Sequence, residues 1–430
     1  MPDTRSITPT YYHTFANGIR LVHRPTRSAV AYAGIMVGAG TRDEVSRLNG
    51  MAHYIEHCVF KGAQTCKNGH RTDMTARQII HRIEDVGGEI NAYTTKEETV
   101  YYAATPNAFL GRTLHLLADM VFHPTFPKEE TDKELGVILD EIESYNDSPS
   151  ELIYDDFEHL LFDGNSLGLP ILGTRSSLRT ISRSARHPLT FMHHHYRPER
   201  MVVFTQSRTP FPRIVEWLDR LFRSNEPTYN PLIRNSPTTR RTTPVPPEQH
   251  TAAYTKHTHQ VHIMLGGYAF PLGHPHQLPM YLINHILGGG ALSSRLNMSL
   301  REQTGLVYTV ESQYTPLSDT GYWNVYLATE PQHKEQCIEL VQKELHSLRT
   351  IPLSTAQLHR ALQQLHGQMA IAAENNENNA LTMAKQMLYH GSSEPWQQTY
   401  ERLLQLTPAD LSSTANQVFD PDQQFLLCYE

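Results

Sequence analysis

The sequence predicts an α+β protein of two homologous lobes, each a mainly antiparallel sheet packed with helices. Three observations lead there. Strand-like and helix-like segments mix without strict βαβ alternation, which favours antiparallel pairing over a doubly wound parallel sheet. A stretch dense in Pro, Thr, Asn and Arg, SNEPTYNPLIRNSPTTRRTTPVPPEQH, divides the chain near its middle and has the composition of a linker. The order of patterns before that stretch partly recurs after it. The expected boundaries are a first lobe at 1–224, a linker at 225–250 and a second lobe at 251–430. With 430 residues in the chain, each lobe is long enough to bury a core of its own.

From Tyr11 to Gly40 the text reads as strands. FANGIRLVHRP carries Asn-Gly as a turn signal, and AVAYAGIMVGAG follows, rich in small and β-branched residues, so a hairpin is expected. Helices are expected through GMAHYIEHCVFKG and at TARQIIHRIEDVGG, where glycines mark the stop. Between them, residues 63–73 (AQTCKNGHRTD) read as an inserted loop. INAYTTKEETVYYAAT alternates as strands do, and helical patterns follow at LGRTLHLLADMVF and from about Lys128 to Tyr145. Beyond the linker, a strand at HQVHIMLGGYAF, helices at MYLINHILGGG and SSRLNMSLREQTG, and strands through VYTVESQY and GYWNVYLATE repeat the scheme. The later counterpart of the HYIEH helix lacks its two histidines, so metal chemistry is assigned to the first lobe.

Composition narrows the function. A net charge of −7 gives no footprint for nucleic acid. MPDTRSITPTYYHTFANG has neither the basic start nor the apolar core of a secretory signal. The longest apolar run, SAVAYAGIMVGAG, is shorter than the roughly 18 residues a membrane helix needs. Cys58, Cys66, Cys337 and Cys428 show no CxxC spacing, so neither a disulfide framework nor a thiolate zinc site is indicated. A cytoplasmic, reduced setting without membrane attachment is expected.

The segment that carries chemistry is HYIEH. On a helix, His53 and His57 differ by about 40° around the axis, and Glu56 lies about 60° to the other side of His53, so all three share one arc. Two imidazoles on one face supply two of the three protein ligands of a catalytic zinc, and a carboxylate must come from elsewhere. Glu56, beside a ligand but pointing to its side, suits a general base. A solvated His-Glu helix face is the competing reading, and with 25 histidines a chance H-x-x-E-H is a real risk.

The surrounding blocks decide between them. NGIRLV, GAGTRDE, GMAHYIEHCVFKG, VGGEINAYTTKEETVYY and GVILDEIESY resemble, in order, the blocks of the pitrilysin-like M16 family of zinc metallopeptidases, whose inverted zinc motif is H-x-x-E-H. The chain is similar to the short, two-domain type within that family. The resemblance implies one Zn²⁺ per chain held by His53, His57 and Glu141, with Glu56 activating the zinc-bound water and Glu134 behind a ligating histidine. Asp140 and Glu143 are rival ligands on the same helix, and block matching selects Glu141. Cys58 adjoins a ligand but points off the metal face, as a buried structural thiol. In the family the strand matching Asn91, Ala92, Tyr93 and Thr94 is an exposed edge onto which an extended substrate adds.

In the second lobe SLREQTGLVYTVESQY resembles the block whose arginine and tyrosine assist the reaction, here Arg301 and Tyr308. Gly288, Gly289 and Gly290 lack the Lys-Ser/Thr of a phosphate loop and read as a helix end with a flexible loop. His193, His194 and His195 read as a helix end rather than a site. Family members of this length look like half of a clam shell closed by a second subunit. The resemblance therefore implies a homodimer cleaving peptides or unfolded segments in a closed chamber, with Arg301 and Tyr308 acting in trans. Its alternative is a non-catalytic or heterodimer-dependent subunit of the same fold, acting in assembly or processing.

Overall fold

A computed structural model describes residues 8–67, 70–224, 242–256 and 258–430. The chain begins with β1 (Tyr11–Thr14), β2 (Arg20–Pro25) and β3 (Val30–Val37), followed by α1 (Met51–Cys58). Next come β4 (Gly62–Lys67), β5 (His70–Thr75), α2 (Ala76–Glu84), β6 (Glu89–Thr94) and β7 (Thr99–Pro106). A helical stretch holds α3 (Leu110–Phe122), α4 (Lys128–Asn146), α5 (Pro149–Leu161), α6 (Arg175–Ile181) and α7 (Arg186–His195), before β8 (Met201–Ser207) and α8 (Phe211–Ser224). Most of the expected linker lies outside the described residues, and 242–250 form neither helix nor strand. Then follow β9 (Thr251–Tyr254), β10 (Val261–Ala269), α9 (Gln277–Gly288), β11 (Val307–Pro316) and β12 (Gly321–Thr329). The last part runs α10 (Lys334–Thr350), α11 (Thr355–Ala372), α12 (Asn376–His390), α13 (Trp396–Leu403), α14 (Pro408–Val418) and β13 (Phe425–Tyr429).

Contacts group the chain into two compact units. The first draws on Met1–Ile142, Leu169–Arg241 and Ala373–Pro395, the second on Glu143–Gly168, Thr242–Ala372 and Trp396–Glu430. These are not the contiguous spans expected from the linker: α5 belongs to the second unit and α12 to the first.

The reason is visible in each sheet. The first unit holds six strands in the order β1-β2-β8-β3-β7-β6. One face packs on α1, α3 and α8 through a core that includes Ile35, Val37, Ile55, Leu117 and Ile214. Alternation along β3 sends Met36 to the opposite face, where Val22, Val100, Val202 and Phe204 also lie. Those side chains need a cover, and Ala380, Met383, Ala384 and Met387 of α12 provide it. Polar contacts fix the helix: Lys385 Nζ lies 2.7 Å from buried Glu98, Tyr389 donates to the same carboxylate, and Tyr102 donates to Glu377 at 3.0 Å. The second unit repeats the arrangement with five strands, β11-β12-β10-β13-β9. There α9, α10 and α14 cover one face and α5 the other. Tyr429 donates to Asp156 at 2.7 Å, while Tyr154–Glu311 and Tyr322–Glu158 add two further tyrosine–carboxylate bonds.

Two local expectations need correction. The Asn17-Gly18 turn does close a hairpin, between β1 and β2, and Gly18 takes the left-handed φ of 96°. However, β2 and β3 do not pair: β8 lies between them, parallel to β2 and antiparallel to β3. Every residue of β8 is buried, so a strand apolar on both faces takes the central place that a local partner would have left half exposed. Residues 63–73 are not a loop, because β4 and β5 form a two-stranded antiparallel sheet over Gly62–Lys67 and His70–Thr75. Among the described residues no helix is long and apolar enough to cross a membrane.

Candidate metal centre

Helix α1 is two turns long and mostly buried. Its start is shaped by close backbone approach: Gly50 has φ 86°, and a Cβ there would meet the Cα of Gly173 at 2.8 Å. Gly173 is itself left-handed, and a Cβ on it would lie 2.6 Å from the Asn49 carbonyl oxygen. Neither position accommodates a side chain.

From this helix His53 and His57 project toward α4. His57 Nε2 lies 3.5 Å from Glu141 Oε2, and His53 Nε2 lies 3.8 Å from the same oxygen. Ligand atoms of the three residues all fall within 4.8 Å of one another, the one such grouping of His, Cys, Asp or Glu among the described residues. Asp140 and Glu143 are not part of it. Tetrahedral zinc with bonds of about 2.0–2.2 Å separates its ligand atoms by roughly 3.3–3.6 Å, so these side chains fit the ion with small adjustments. Burial, and next the neighbouring His57, hold His53 down to about 3, which leaves the neutral imidazole a metal requires.

Glu134, two turns before Glu141 on α4, reaches His57 from behind. Its Oε1 is 2.8 Å from His57 Nδ1, and its Oε2 is 2.7 Å from Lys61 Nζ. A carboxylate paired with lysine accepts, so Nδ1 carries the proton and Nε2 keeps its lone pair toward Glu141. Cys58 is fully buried, and burial pushes its thiol up to about 12, a packing residue rather than a ligand.

Glu56 sits beside the pair. The Thr94 hydroxyl donates to its Oε2 at 2.7 Å. Burial raises the Glu56 carboxyl above its ordinary value; the Thr94 bond and His57 oppose that shift, and Glu141 adds to it. A carboxylate that holds protons more readily is suited to taking one from water and passing it on. Thr94 ends β6, the outermost strand of its sheet. Asn91, Ala92, Tyr93 and Thr94 pair with Tyr102, Tyr101, Val100 and Thr99 of β7, and no strand among the described residues pairs with the other edge of β6.

Comparison with known proteins places this arrangement. Residues 20–175 match the family described as Insulinase (Peptidase family M16), and residues 188–365 match one described as Peptidase M16 inactive domain. The chain is 30% identical over 419 residues to a Bacillus subtilis (strain 168) protein named uncharacterized zinc protease YmxG, across 96% of this chain and 97% of that one. This chain belongs to the M16 peptidase family. Another M16 relative, the Streptomyces coelicolor protein named uncharacterized zinc protease SCO5738, is 30% identical, with 94% of this chain and 86% of that one covered. Two solved structures share the two-lobed M16 fold. A protease from Helicobacter pylori superposes with a TM-score of 0.85 at 22% identity, over 99% of this chain and 100% of that one. A peptidase M16 inactive domain from Pseudomonas fluorescens does so with a TM-score of 0.85 at 17% identity, over 98% of each.

The other residues singled out in this M16 chain lie in the second unit. Arg301 closes a six-residue π-helical turn, Asn297–Glu302, where a regular helix was expected. Its guanidinium sits 5.5 Å from the centre of the Tyr308 ring. Both line a cavity of about 300 Å³ together with Gly288, Gly289 and Gly290. Tyr308 is 80% exposed on the edge strand β11, so its hydroxyl is open to a ligand. The histidines at 193–195 end α7, where buried His195 faces Arg200 and Asp43. They form no metal-binding group.

Sequence reasoning passed over Glu44. Its carboxylate is 4% exposed and accepts from Gly50 N at 2.7 Å, Ala52 N at 2.7 Å and the Asn49 amide at 3.0 Å. Burial pushes this carboxyl up to about 8 against the pull of those donors. The signal was a glutamate shortly before a helix whose own N-cap, Gly50, has no side chain.

Proposed function

We propose that the protein is a zinc endopeptidase that hydrolyses peptides or unfolded polypeptide segments. The convergence of His53, His57 and Glu141, with Glu56 poised beside them by Thr94, carries this reading. His53, His57 and Glu141 would hold a zinc ion, which when bound would supply Lewis-acid polarisation of the substrate carbonyl and acidification of a water. Glu56 takes the proton of the attacking water and delivers it to the leaving amine. An extended substrate adds to the free edge of β6 as a further strand, so recognition is chiefly of backbone. Arg301 and Tyr308, supplied by a second copy of the chain in a closed homodimer, hold the substrate and donate to the carbonyl oxygen as it gains charge. One zinc per chain and a cytoplasmic setting complete the proposal.

Purified protein should contain one zinc per chain, hydrolyse a fluorogenic peptide and lose that activity on chelation. Glu56→Gln should keep the zinc and lose turnover; undiminished hydrolysis by that variant refutes the assigned base. A second reading is a non-catalytic or heterodimer-dependent subunit. It draws support from the match of residues 188–365 to an inactive domain, although that stretch lies outside the HYIEH helix. Activity eluting with a homodimer of the lone protein in size-exclusion chromatography excludes it. Activity only after addition of a second, related chain favours it.

A further inference from the structure

We propose that Glu44 is a positioning residue of the metal centre, whose carboxylate fixes the start of α1 and through it the reach of His53 and His57 toward Glu141. The inference rests on the metal reading above and adds a residue to it.

An eight-residue helix is too short to be stable by itself, since isolated helices below about 12 residues are marginal in water. The first N–H groups of such a helix lack intrahelical partners. Most helices satisfy one of them with the side chain of the N-cap residue. Here the N-cap is Gly50, which makes no side-chain bond, and its close approach to Gly173 leaves no room for a capping residue. Glu44 supplies the cap from outside the helix, taking the Gly50 and Ala52 N–H groups on its two oxygens. Its acceptor oxygens face the positive end of the helix dipole. Almost no solvent reaches the site, so water cannot replace the carboxylate.

The position of the cap matters because His53 is the third residue of α1. Any displacement of the first turn passes directly to an imidazole that already stands 3.8 Å from the Glu141 oxygen. Glu44 is itself held against the turn that follows β6. Thr41 N donates to the Thr95 carbonyl at 3.2 Å, Arg42 N to that of Lys96 at 2.8 Å, and Glu44 N to that of Thr41 at 3.1 Å. The Arg42 guanidinium meets Glu97 at 2.7 Å, both nearly inaccessible. Arg200 reaches Asp43 at 3.0 Å. The turn that anchors Glu44 therefore starts next to Thr94, which holds Glu56, so metal ligands and base share one reference frame. Glu44 is too deeply buried to touch substrate, and its action is through α1.

The test compares Glu44→Ala and Glu44→Gln with the parent and with Ile214→Ala. The last variant lowers stability from a buried position of α8, a helix that packs chiefly on α3. Zinc affinity is read by competition with a chromophoric chelator, and ligand geometry by visible absorption of the cobalt-substituted protein. Glu44→Ala should bind zinc at least about tenfold more weakly, within the 10- to 100-fold loss usual when partners behind the ligands are removed. Its cobalt spectrum should change in intensity. Glu44→Gln, which keeps one acceptor oxygen, should fall between Ala and parent. Ile214→Ala should match the parent in both readouts despite a lower melting temperature. Should Glu44→Ala not fold, the Gln variant decides by the same two measurements. A folded Glu44 variant with parental affinity and spectrum, or one that differs no more than Ile214→Ala, overturns the assignment. A parent that binds neither metal overturns the metal reading itself.

Discussion

Removing Glu134 should weaken zinc binding without disturbing the three ligands. Its carboxylate is 7% exposed and spans His57 Nδ1 at 2.8 Å and Lys61 Nζ at 2.7 Å. Hydrogen bonds to charged groups contribute about 1.5–3 kcal/mol, and 1.4 kcal/mol is a factor of ten in affinity. Loss of the bond to the ligating imidazole therefore corresponds to roughly 10- to 100-fold in zinc dissociation constant. Glu134→Gln retains an acceptor for Nδ1–H but no charge, and it leaves the Lys61 ammonium without its partner. A loss near tenfold is expected for Gln and one closer to 100-fold for Ala, where nothing holds the ring or its tautomer. Chelator competition at neutral pH measures both. Glu129→Gln on the same helix is the control, because Glu129 is 84% exposed and pairs only with Lys133, at 3.1 Å, among the ion pairs described. Binding by Glu134→Ala within about twofold of the parent would refute the argument that the carboxylate orients His57.

Three further outcomes follow from contacts elsewhere. Thr94→Val deletes the 2.7 Å hydroxyl contact with Glu56 and should lower kcat by about tenfold with KM little changed, while Thr94→Ser should stay near the parent; a fall in KM-dependent terms alone would move Thr94 to substrate binding only. A fragment ending at residue 224 lacks α12, whose Met383 and Met387 by themselves bury side chains worth about 1.5–3 kcal/mol each, so it should bind a hydrophobic dye and melt without cooperativity; a sharp melt would refute that. Burial lowers His23 to about 4, and a histidine that binds fewer protons when folded adds stability that is complete above about pH 6.5 and lost as pH falls toward 4. Stability of the parent should therefore drop by up to about 3 kcal/mol more than that of His23→Leu across that window, as read by denaturant melts, and equal slopes would show that His23 is not buried neutral.

What could be read from the sequence was local. His53, Glu56 and His57 lie within one helical turn, so periodicity alone places them on one arc. The carboxylates of α4 were reachable only through the order of family blocks, because nothing in the spacing tells which of Asp140, Glu141 and Glu143 turns toward α1. The strand order was hidden for a related reason: β8 enters between β2 and β3 from residue 201, and pairing across that separation leaves no local signature. The strands at 62–67 and 70–75 flank Asn-Gly, a strong hairpin signal, but their polar residues lack the apolar alternation of a half-buried strand. The exchange of α5 and α12 between the two compact units could not be seen either. Each helix is amphipathic in the ordinary way, and the sheet it covers is decided by packing.

Charged pairs near the site point to geometry as what these contacts fix. Arg42 with Glu97, Glu98 with Lys385, and Asp43 with Arg200 place acidic groups in or next to two short segments, 40–44 and 95–98. Desolvation of such pairs offsets most of their attraction, so apolar residues in their place would hold the fold about as well. Apolar contacts, however, tolerate sliding, whereas a guanidinium on a carboxylate and a carboxylate on two helical N–H groups admit one register. The segments so fixed precede α1 and follow β6, the elements that carry the proposed metal ligands and the proposed substrate edge. A general base must stand within hydrogen-bond reach of its water, and errors of about 1 Å in such placement reduce rates by about 100-fold. The charges thus make sense where apolar packing would be enough for stability but too loose for the proposed catalysis.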